Sequence, residues 1–262
     1  MTLPESQPSP GSTAGKTPPR IAFFDVDNTM LRGSTLFLMA RGLYKRGFFA
    51  PRELTQYALA QLRFRISGKE RKGEMAHIRE SALAFIKGQR VSQLGEIAEE
   101  IYEERIKEAI WNGTLDLARA HLAAGDQVWL VTATPIEVAN VMVERLGLSG
   151  ALGTVAESKD GVYTGFLVGE LLHGRAKADA VEKLAKDHQV DLANCVAYSD
   201  SANDLPMLTA VGEPHAINPD AKLRRHAKRA DWPIHDFRHA RRIVRILAPW
   251  LAIVGIIVAA RG

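Results

Sequence analysis

The segment IAFFDVDNTM, residues 21–30, carries two aspartates, Asp25 and Asp27, at the end of an apolar run. In an extended chain alternate side chains share a face, which sets these two carboxylates roughly 6–7 Å apart on one side. Like charges that close repel, so the pair needs a cation, a shifted protonation equilibrium or both. Such a pair is more typical of chemistry than of packing. Three distant segments supply groups of complementary type: Thr132 in VWLVTAT, Lys177 in GRAKADAVEKLA, and Asp200, Asn203 and Asp204 in SDSANDLPML. Taken singly, each has an ordinary reading as a β-branched strand residue, a solvent-facing lysine or a helix cap. Only their placement in a common architecture promotes them.

That architecture is legible as an alternation. Apolar stretches of strand length (IAFFD, VWLVT, ALGTVA, CVAYSD, HAIN) are separated by helical patterns (TLDLARAHLAAG, PIEVANVMVERLG, KADAVEKLAKDH, NDLPMLTAVG, PDAKLRRHAKR). Apolar strands alternating with amphipathic helices predict an α/β fold, a doubly wound parallel sheet covered on both faces. Ligands in such sheets gather at the carboxyl ends of the strands, where Asp25, Thr132 and Asp200 fall. Thr134-Pro135-Ile136-Glu137 has the Thr-x-x-Glu form of a capping box with Pro at the first helical position, which aims free amides at the same edge. Asp160-Gly161 marks a hairpin turn.

Residues 34–111 show helical spacing and little strand signal. Four helices are expected there, in STLFLMARGLYKRG, APRELTQYALAQLRFRIS, GEMAHIRESALAFIKG and SQLGEIAEEIYEERIKEAIW, with Pro51 at a helix start and Gly47 and Gly88 at helix ends. The resulting division is a Pro- and Ser-rich lead-in over 1–19, a core over 20–33 and 112–235, a helical cap over 34–111, and a tail over 236–262.

The four segments, in this order and each at a strand or helix boundary, resemble the motifs of the haloacid dehalogenase superfamily: DVDNT, VTAT, the lysine of GRAKADAVEKLA, and SDSANDLPML. The resemblance spans about residues 20–235 and is nearest the phosphoserine phosphatase branch, which inserts a helical cap between the first two motifs. It implies a Rossmann-like core and a Mg²⁺-dependent phosphomonoesterase. Asp25 is then the nucleophile that forms an aspartyl-phosphate, and Asp27 the general acid and base. Thr132 and Lys177 hold phosphate oxygens, and Asn203 completes the pocket. Asp25, Asp27, through its carbonyl, and Asp200 bind the metal, with Asp204 steadying the metal shell or the lysine. Phosphate esters resist attack because their anionic oxygens repel a nucleophile, so positive charge around the phosphoryl group is what such a site needs. A protein that keeps only the fold is disfavoured, because every catalytic position holds a chemically competent residue.

For substrate, the phosphoserine branch carries a glutamate nine residues after the nucleophile, where this chain has Ser34. An arginine of the cap meets the substrate carboxylate in that branch, and Arg79 in HIRESALAF is the match. The glycine that follows the second motif's hydroxyl residue is Ala133 here. The expected partner is a small phosphorylated metabolite and not a nucleic acid; the basic stretch and apolar tail leave a membrane-associated phosphatase acting on a lipid or lipid-like phosphate as the alternative.

With 262 residues, 46% of them hydrophobic, the chain is long enough for a sizeable core. The lone Cys195 has no disulfide partner, the amino end lacks the apolar core of a signal peptide, and both suit a cytoplasmic protein. The net charge of +4 is uneven: nine Lys or Arg against three Asp fall between Asp220 and Arg245, just before the fifteen-residue apolar run Ile246 to Ala260. As a helix that run covers about 22 Å, short of a roughly 30 Å hydrocarbon core. It is expected to pack on the domain or to meet the anionic inner face of a membrane. His235 and His239 have i, i+4 spacing but no third ligand nearby, so they are not read as a zinc site.

Overall fold

The computed structural model describes residues 20–46 and 86–238. Six parallel strands form one sheet in the order β3-β2-β1-β6-β7-β8, and β4 and β5 pair antiparallel as a separate hairpin. The strands are β1 (Ile21–Asp25), β2 (Gln127–Pro135), β3 (Gly150–Thr154), β4 (Ala156–Lys159), β5 (Val162–Leu167), β6 (Val196–Ser199), β7 (Glu213–Ile217) and β8 (Ile234–His235). The helices are α1 (Thr35–Lys45), α2 (Val91–Ile101), α3 (Asn112–Ala123), α4 (Ile136–Leu146), α5 (Arg175–Asp187), α6 (Leu205–Ala210) and α7 (Ala221–Arg229). The doubly wound α/β fold is as expected from the alternation.

Every residue of β1 is buried, as befits a central strand flanked by β2 and β6. Its side chains alternate between two hydrophobic clusters. Ala22 and Phe24 join Val128, Leu130, Val196 and Tyr198 on one face. Ile21 and Phe23 join Val131, Ala197, Ala178 and Val181 on the other, the last two from α5. By the same two-residue period Asp25 falls on the α5 face.

The hairpin turns at Asp160 (φ +52°) and Gly161 (φ +76°), two positive-φ residues in succession as a type I′ turn requires. Several boundaries differ from the sequence expectation. The stretch ALGTVA is split, with β3 ending at Thr154 and Ala156 already opening the hairpin. The NDLPML segment begins with a 3₁₀ turn at Ala202–Asp204 before α6. The helix expected over SQLGEIAEEIYEERIKEAIW is α2 followed by a π-helical segment, Tyr102–Ile106, and a last turn, Lys107–Ala109.

The capping box is absent. β2 runs through Pro135, which sits just before the helix with extended ψ, and no side chain caps α4. Thr134 instead bonds Thr132, and Glu137 accepts a 2.7 Å hydrogen bond from the Tyr163 hydroxyl of β5. A same-strand partner for Thr134 and a cross-element partner for Glu137 thus outcompete the pairing that the Thr-x-x-Glu spacing suggests.

The two middle cap helices, with Pro51, Gly47 and Arg79, and the tail from residue 239, with His239, lie outside the described residues, as does the lead-in. No helix among the described residues is long and apolar enough to cross a membrane. Residues 236–238 follow β8 and stay tied to the core. Asp236 pairs with Arg224 of α7, and the Phe237 amide donates to Asn218 Oδ1 at 2.8 Å.

α5 begins after Gly174, whose φ of +56° and ψ of −118° are hard for any residue with a Cβ. A methyl group there would meet only the Asn203 carbonyl at 3.6 Å, so the demand is conformational and not steric. Gly174→Ala should cost about 1–3 kcal/mol. It should lower the thermal midpoint; an unchanged midpoint would show that the turn rebuilds without strain.

Candidate active site

The chain fills one half of the sheet with β1, β2 and β3, then crosses to fill the other with β6, β7 and β8. β1 and β6 are adjacent at this reversal, and an open α/β sheet leaves a crevice at the carboxyl ends there. Asp25 is the last residue of β1, and Asp200 directly follows β6.

Lys177, in the first turn of α5, is buried on the sheet face that Asp25 shares. Its Nζ lies 2.5 Å from Asp25 Oδ1 and 2.8 Å from Asp204 Oδ2. Ser199 Oγ donates to the same Asp204 oxygen at 2.8 Å, and Thr29 Oγ1 donates to Asp25 Oδ2 at 2.8 Å. One buried cation therefore holds two buried carboxylates, each steadied by a hydroxyl. Burial pushes the Asp25 carboxyl up to about 6, against the opposing pull of Lys177, so it is mostly ionised at neutral pH. Burial alone would lower the Lys177 ammonium, but Asp25 and Asp204 outweigh it and raise the group, keeping it charged.

Asp27 is set differently from the expectation. The strand ends at Asp25, and the chain turns at once, with the Met30 and Leu31 amides both donating to the Val26 carbonyl. The shared-face geometry of an extended strand does not reach Asp27. Its Oδ1 accepts from the Thr35 amide at 2.8 Å and the Thr35 hydroxyl at 2.6 Å, at the start of α1. The two aspartates thus have separate partners.

Val131 pairs in register with Asp25, which puts Thr132 one residue further out on the neighbouring strand. The Thr132 hydroxyl donates to Thr134 Oγ1 at 2.9 Å and accepts from the Thr134 amide at 3.1 Å. The carbonyl of Ala133 accepts from Thr154 Oγ1 at 2.8 Å. Ser34 precedes α1, and its hydroxyl makes no capping bond. Asn203 is exposed in the 3₁₀ turn, its amide donating to Ser201 Oγ at 3.2 Å.

Asp200 stands apart. Its carbonyl accepts from the Asp220 amide at 2.8 Å, while its carboxylate takes no hydrogen bond from any described residue. Burial, then Asp25 and Asp204, push this carboxyl up to about 8, with Lys177 opposing. A partly buried carboxylate facing other acids without a donor suits a hard cation with oxygen ligands. Among the described residues no three His, Cys, Asp or Glu side chains converge as a ready-made metal cluster. The set implied by the motifs needs only two carboxylates, Asp25 and Asp200, because its third member is the Asp27 carbonyl; the residues present fit Mg²⁺. Asp204 is engaged by Lys177 and Ser199.

Thr29, Thr35 and Ser199 were missed by the sequence reading. Thr29 lies within DVDNT, four residues after Asp25, and Ser199 shares the face of Ala197 by strand parity, so both left a signal. Thr35 left none, because its bond to Asp27 depends on how the chain leaves the turn.

Residues 22–209 match the family model for haloacid dehalogenase-like hydrolases. The chain is 50% identical over 252 residues to Phosphoserine phosphatase SerB1 of Mycobacterium tuberculosis, covering 94% of this chain and 82% of that protein. A Bordetella pertussis protein of unknown function has a solved structure with TM-score 0.75 and 29% identity, covering 84% of this chain and all (100%) of that one. A substrate-bound phosphoserine phosphatase complex, 22% identical, gives TM-score 0.59 over 87% of this chain and 99% of that one, a likeness of fold. With its aspartates, threonine and lysine arranged along the carboxyl edge of a sheet of this topology, the chain belongs to the haloacid dehalogenase-like hydrolase family.

Proposed function

We propose that the protein is a Mg²⁺-dependent phosphomonoesterase working through a phosphoryl group on Asp25. The observation that carries this reading is the buried contact of Lys177 with Asp25, which leaves an ionised carboxylate beside a fixed positive charge at a sheet switch point. A carboxylate oxygen of Asp25 attacks phosphorus, the bond from phosphorus to the alcohol oxygen breaks, and Asp27 gives that oxygen a proton. Water then attacks the aspartyl-phosphate, Asp27 takes a proton from it, and inorganic phosphate leaves with Asp25 restored. Thr35 orients Asp27 for both steps by holding one carboxylate oxygen. Lys177 and Thr132 supply donors to the phosphoryl oxygens, and Asp204 and Ser199 fix the lysine for that task. The Asp25 carboxylate, the Asp27 carbonyl and Asp200 would hold Mg²⁺, which would supply neutralisation of charge on the phosphoryl group.

Phosphoserine is the first substrate to try, from the name of the M. tuberculosis relative. Ser34 brings no negative charge for an amino group, so the class proposed is small phosphate monoesters in general. The reading is tested by measuring phosphate release from a panel of such esters with and without Mg²⁺; absence of release from all of them would overturn it.

Asp25→Asn should lower kcat by on the order of a thousandfold or more, because no other described group is placed to act as nucleophile. Turnover near that of the native chain would remove Asp25 from this role.

The raised Asp200 value gives a second prediction with a defined sign. Its folded-state value lies above that of an ordinary carboxylate, so the carboxyl keeps its proton at pH 6 and loses it as pH rises through about 8. Without a cation that ionisation costs stability at high pH, and with one it is compensated. The rise in thermal midpoint produced by MgCl₂ should therefore be larger at pH 8.5 than at pH 6, and should vanish in Asp200→Asn. A rise independent of pH would place the cation elsewhere.

A further inference from the structure

The sequence of α7, AKLRRHAKR, holds Lys222, Arg224, Arg225, Lys228 and Arg229 and no acid. Leu223 and Ala227, one turn apart, are its buried positions and pack into the hydrophobic cluster that α5 also covers. Lys222, Arg225, Lys228 and Arg229 fall on the opposite side of the helix and are all exposed. Lys222, Arg225 and Arg229 follow one another at spacings of three and four, so they form a single stripe.

What sets this face apart is that little neutralises it. On α5, Arg175 and Lys183 pair with Asp179 and Asp187 one turn on, and on α4 Arg145 pairs with Glu99. The outward cations of α7 make no ion pair among the described residues, and Arg225 spends only its Nε, on the Ala221 carbonyl at 3.2 Å. The neighbouring acids are committed to the fold. Asp220 caps the helix, its Oδ1 accepting from the Lys222 and Leu223 amides at 2.8 and 2.7 Å, and its Oδ2 accepts from the Ala202 amide at 2.9 Å. Asp236 is held by Arg224, the remaining cation of the helix, and by Arg238 through Nε at 2.9 Å and Nη2 at 2.8 Å. Asp231 alone is left to offset the four outward cations. Like charges at spacings of three and four repel, so the face weakens the helix in water and is relieved by an anionic counterpart.

The sequence that follows decides which counterpart. Arg224 and Arg238 share Asp236, so the last described residue, Arg238, lies beside α7. Arg241, Arg242 and Arg245 come next, directly ahead of the uncharged run Ile246 to Ala260. Ile246 is eight residues from Arg238, a reach of at most about 29 Å, and α7 is only about 13 Å long, so the apolar run starts within reach of the same face. Cations followed at once by an apolar run match anionic headgroups over a hydrocarbon layer. A nucleic acid would use the charge and leave the apolar run without a role. Because α7 connects the parallel strands β7 and β8, it lies along the flank of the sheet, and contact there leaves the carboxyl edge open.

We infer that the outer face of α7 is a docking surface for an anionic lipid bilayer, with Lys222, Arg225, Lys228 and Arg229 turned to the headgroups. None of the four touches the ion cluster, so the inference stands apart from the phosphomonoesterase reading.

The test is sedimentation of the full chain with vesicles of equal parts phosphatidylcholine and phosphatidylserine, and with vesicles of phosphatidylcholine alone. The native chain should sediment with the mixed vesicles at low salt and be released as salt rises. A basic residue near such a surface contributes about fivefold, so Lys222→Gln, Arg225→Gln and Arg229→Gln together should weaken binding about a hundredfold. Glutamine keeps the helix propensity of the residues it replaces. Lys107→Gln, Arg119→Gln and Lys159→Gln together remove the same charge from other surfaces and should leave binding within about twofold. Should the α7 triple variant lose thermal stability, Arg225→Gln alone is measured, with a loss of about fivefold expected. Equal weakening by the two triple variants would reduce the attraction to net charge and overturn the assignment, as would equal binding to phosphatidylcholine alone or no binding of the native chain. A short DNA duplex bound more tightly than the mixed vesicles, and lost in the α7 variant, would overturn it in favour of a nucleic-acid surface.

Discussion

The ion cluster of Lys177 with Asp25 and Asp204 is the constraint on which the rest of the site depends. Three charged groups buried together are tolerable only if each is matched, since a buried charge without a partner costs several kcal/mol. Here the match is made between segments 152 residues apart in sequence, Asp25 and Lys177. Thr29 and Ser199 occupy further acceptor sites on the two carboxylates, so the cluster is anchored to β1, β6, α5 and the turn before α6 at once. Removing the lysine would leave two uncompensated acids in the core, whereas removing Asp25 leaves the lysine still paired with Asp204. Asp25 is thereby the member of the cluster that the fold can best spare.

Strand parity explains how the cluster comes to be. β1 has both faces covered, so its side chains must alternate between the two hydrophobic clusters, and Asp25 is committed to the α5 side by the packing of Ile21 and Phe23. The same parity takes Ser199 to that side of β6. The left-handed backbone at Gly174 starts α5 where its first turn reaches the strand ends. Beyond the end of β1 the pattern lapses, and Asp27 is governed by the turn and by Thr35.

Two of the residues flanking a cleft beside Asp200 come from regions outside the repeating strands and helices. Trp111 lies where the chain returns from the cap, and Arg238 lies beyond β8. The buried indole N–H of Trp111 has no partner among the described residues and is a polar group that the fold itself does not use.

The fold class and the convergence of Asp25, Thr132, Lys177 and Asp200 on one sheet edge were legible in the sequence, because apolar alternation and motif order are local properties that survive in one dimension. The Asp160-Gly161 turn was legible for the same reason. The two-residue strand β8, the π-helical segment after α2 and the loss of the Thr134–Glu137 capping box were not. The first and last turn on partners from other elements: β7 for β8, and Tyr163 for Glu137. The separate settings of Asp25 and Asp27 were also a tertiary decision, since spacing of two residues means a shared face only while the strand continues. Which polar atoms remain uncommitted, at Asp200, at Trp111 and along the outer face of α7, is a property of the whole three-dimensional set of donors and acceptors, and no single segment of the sequence contains it.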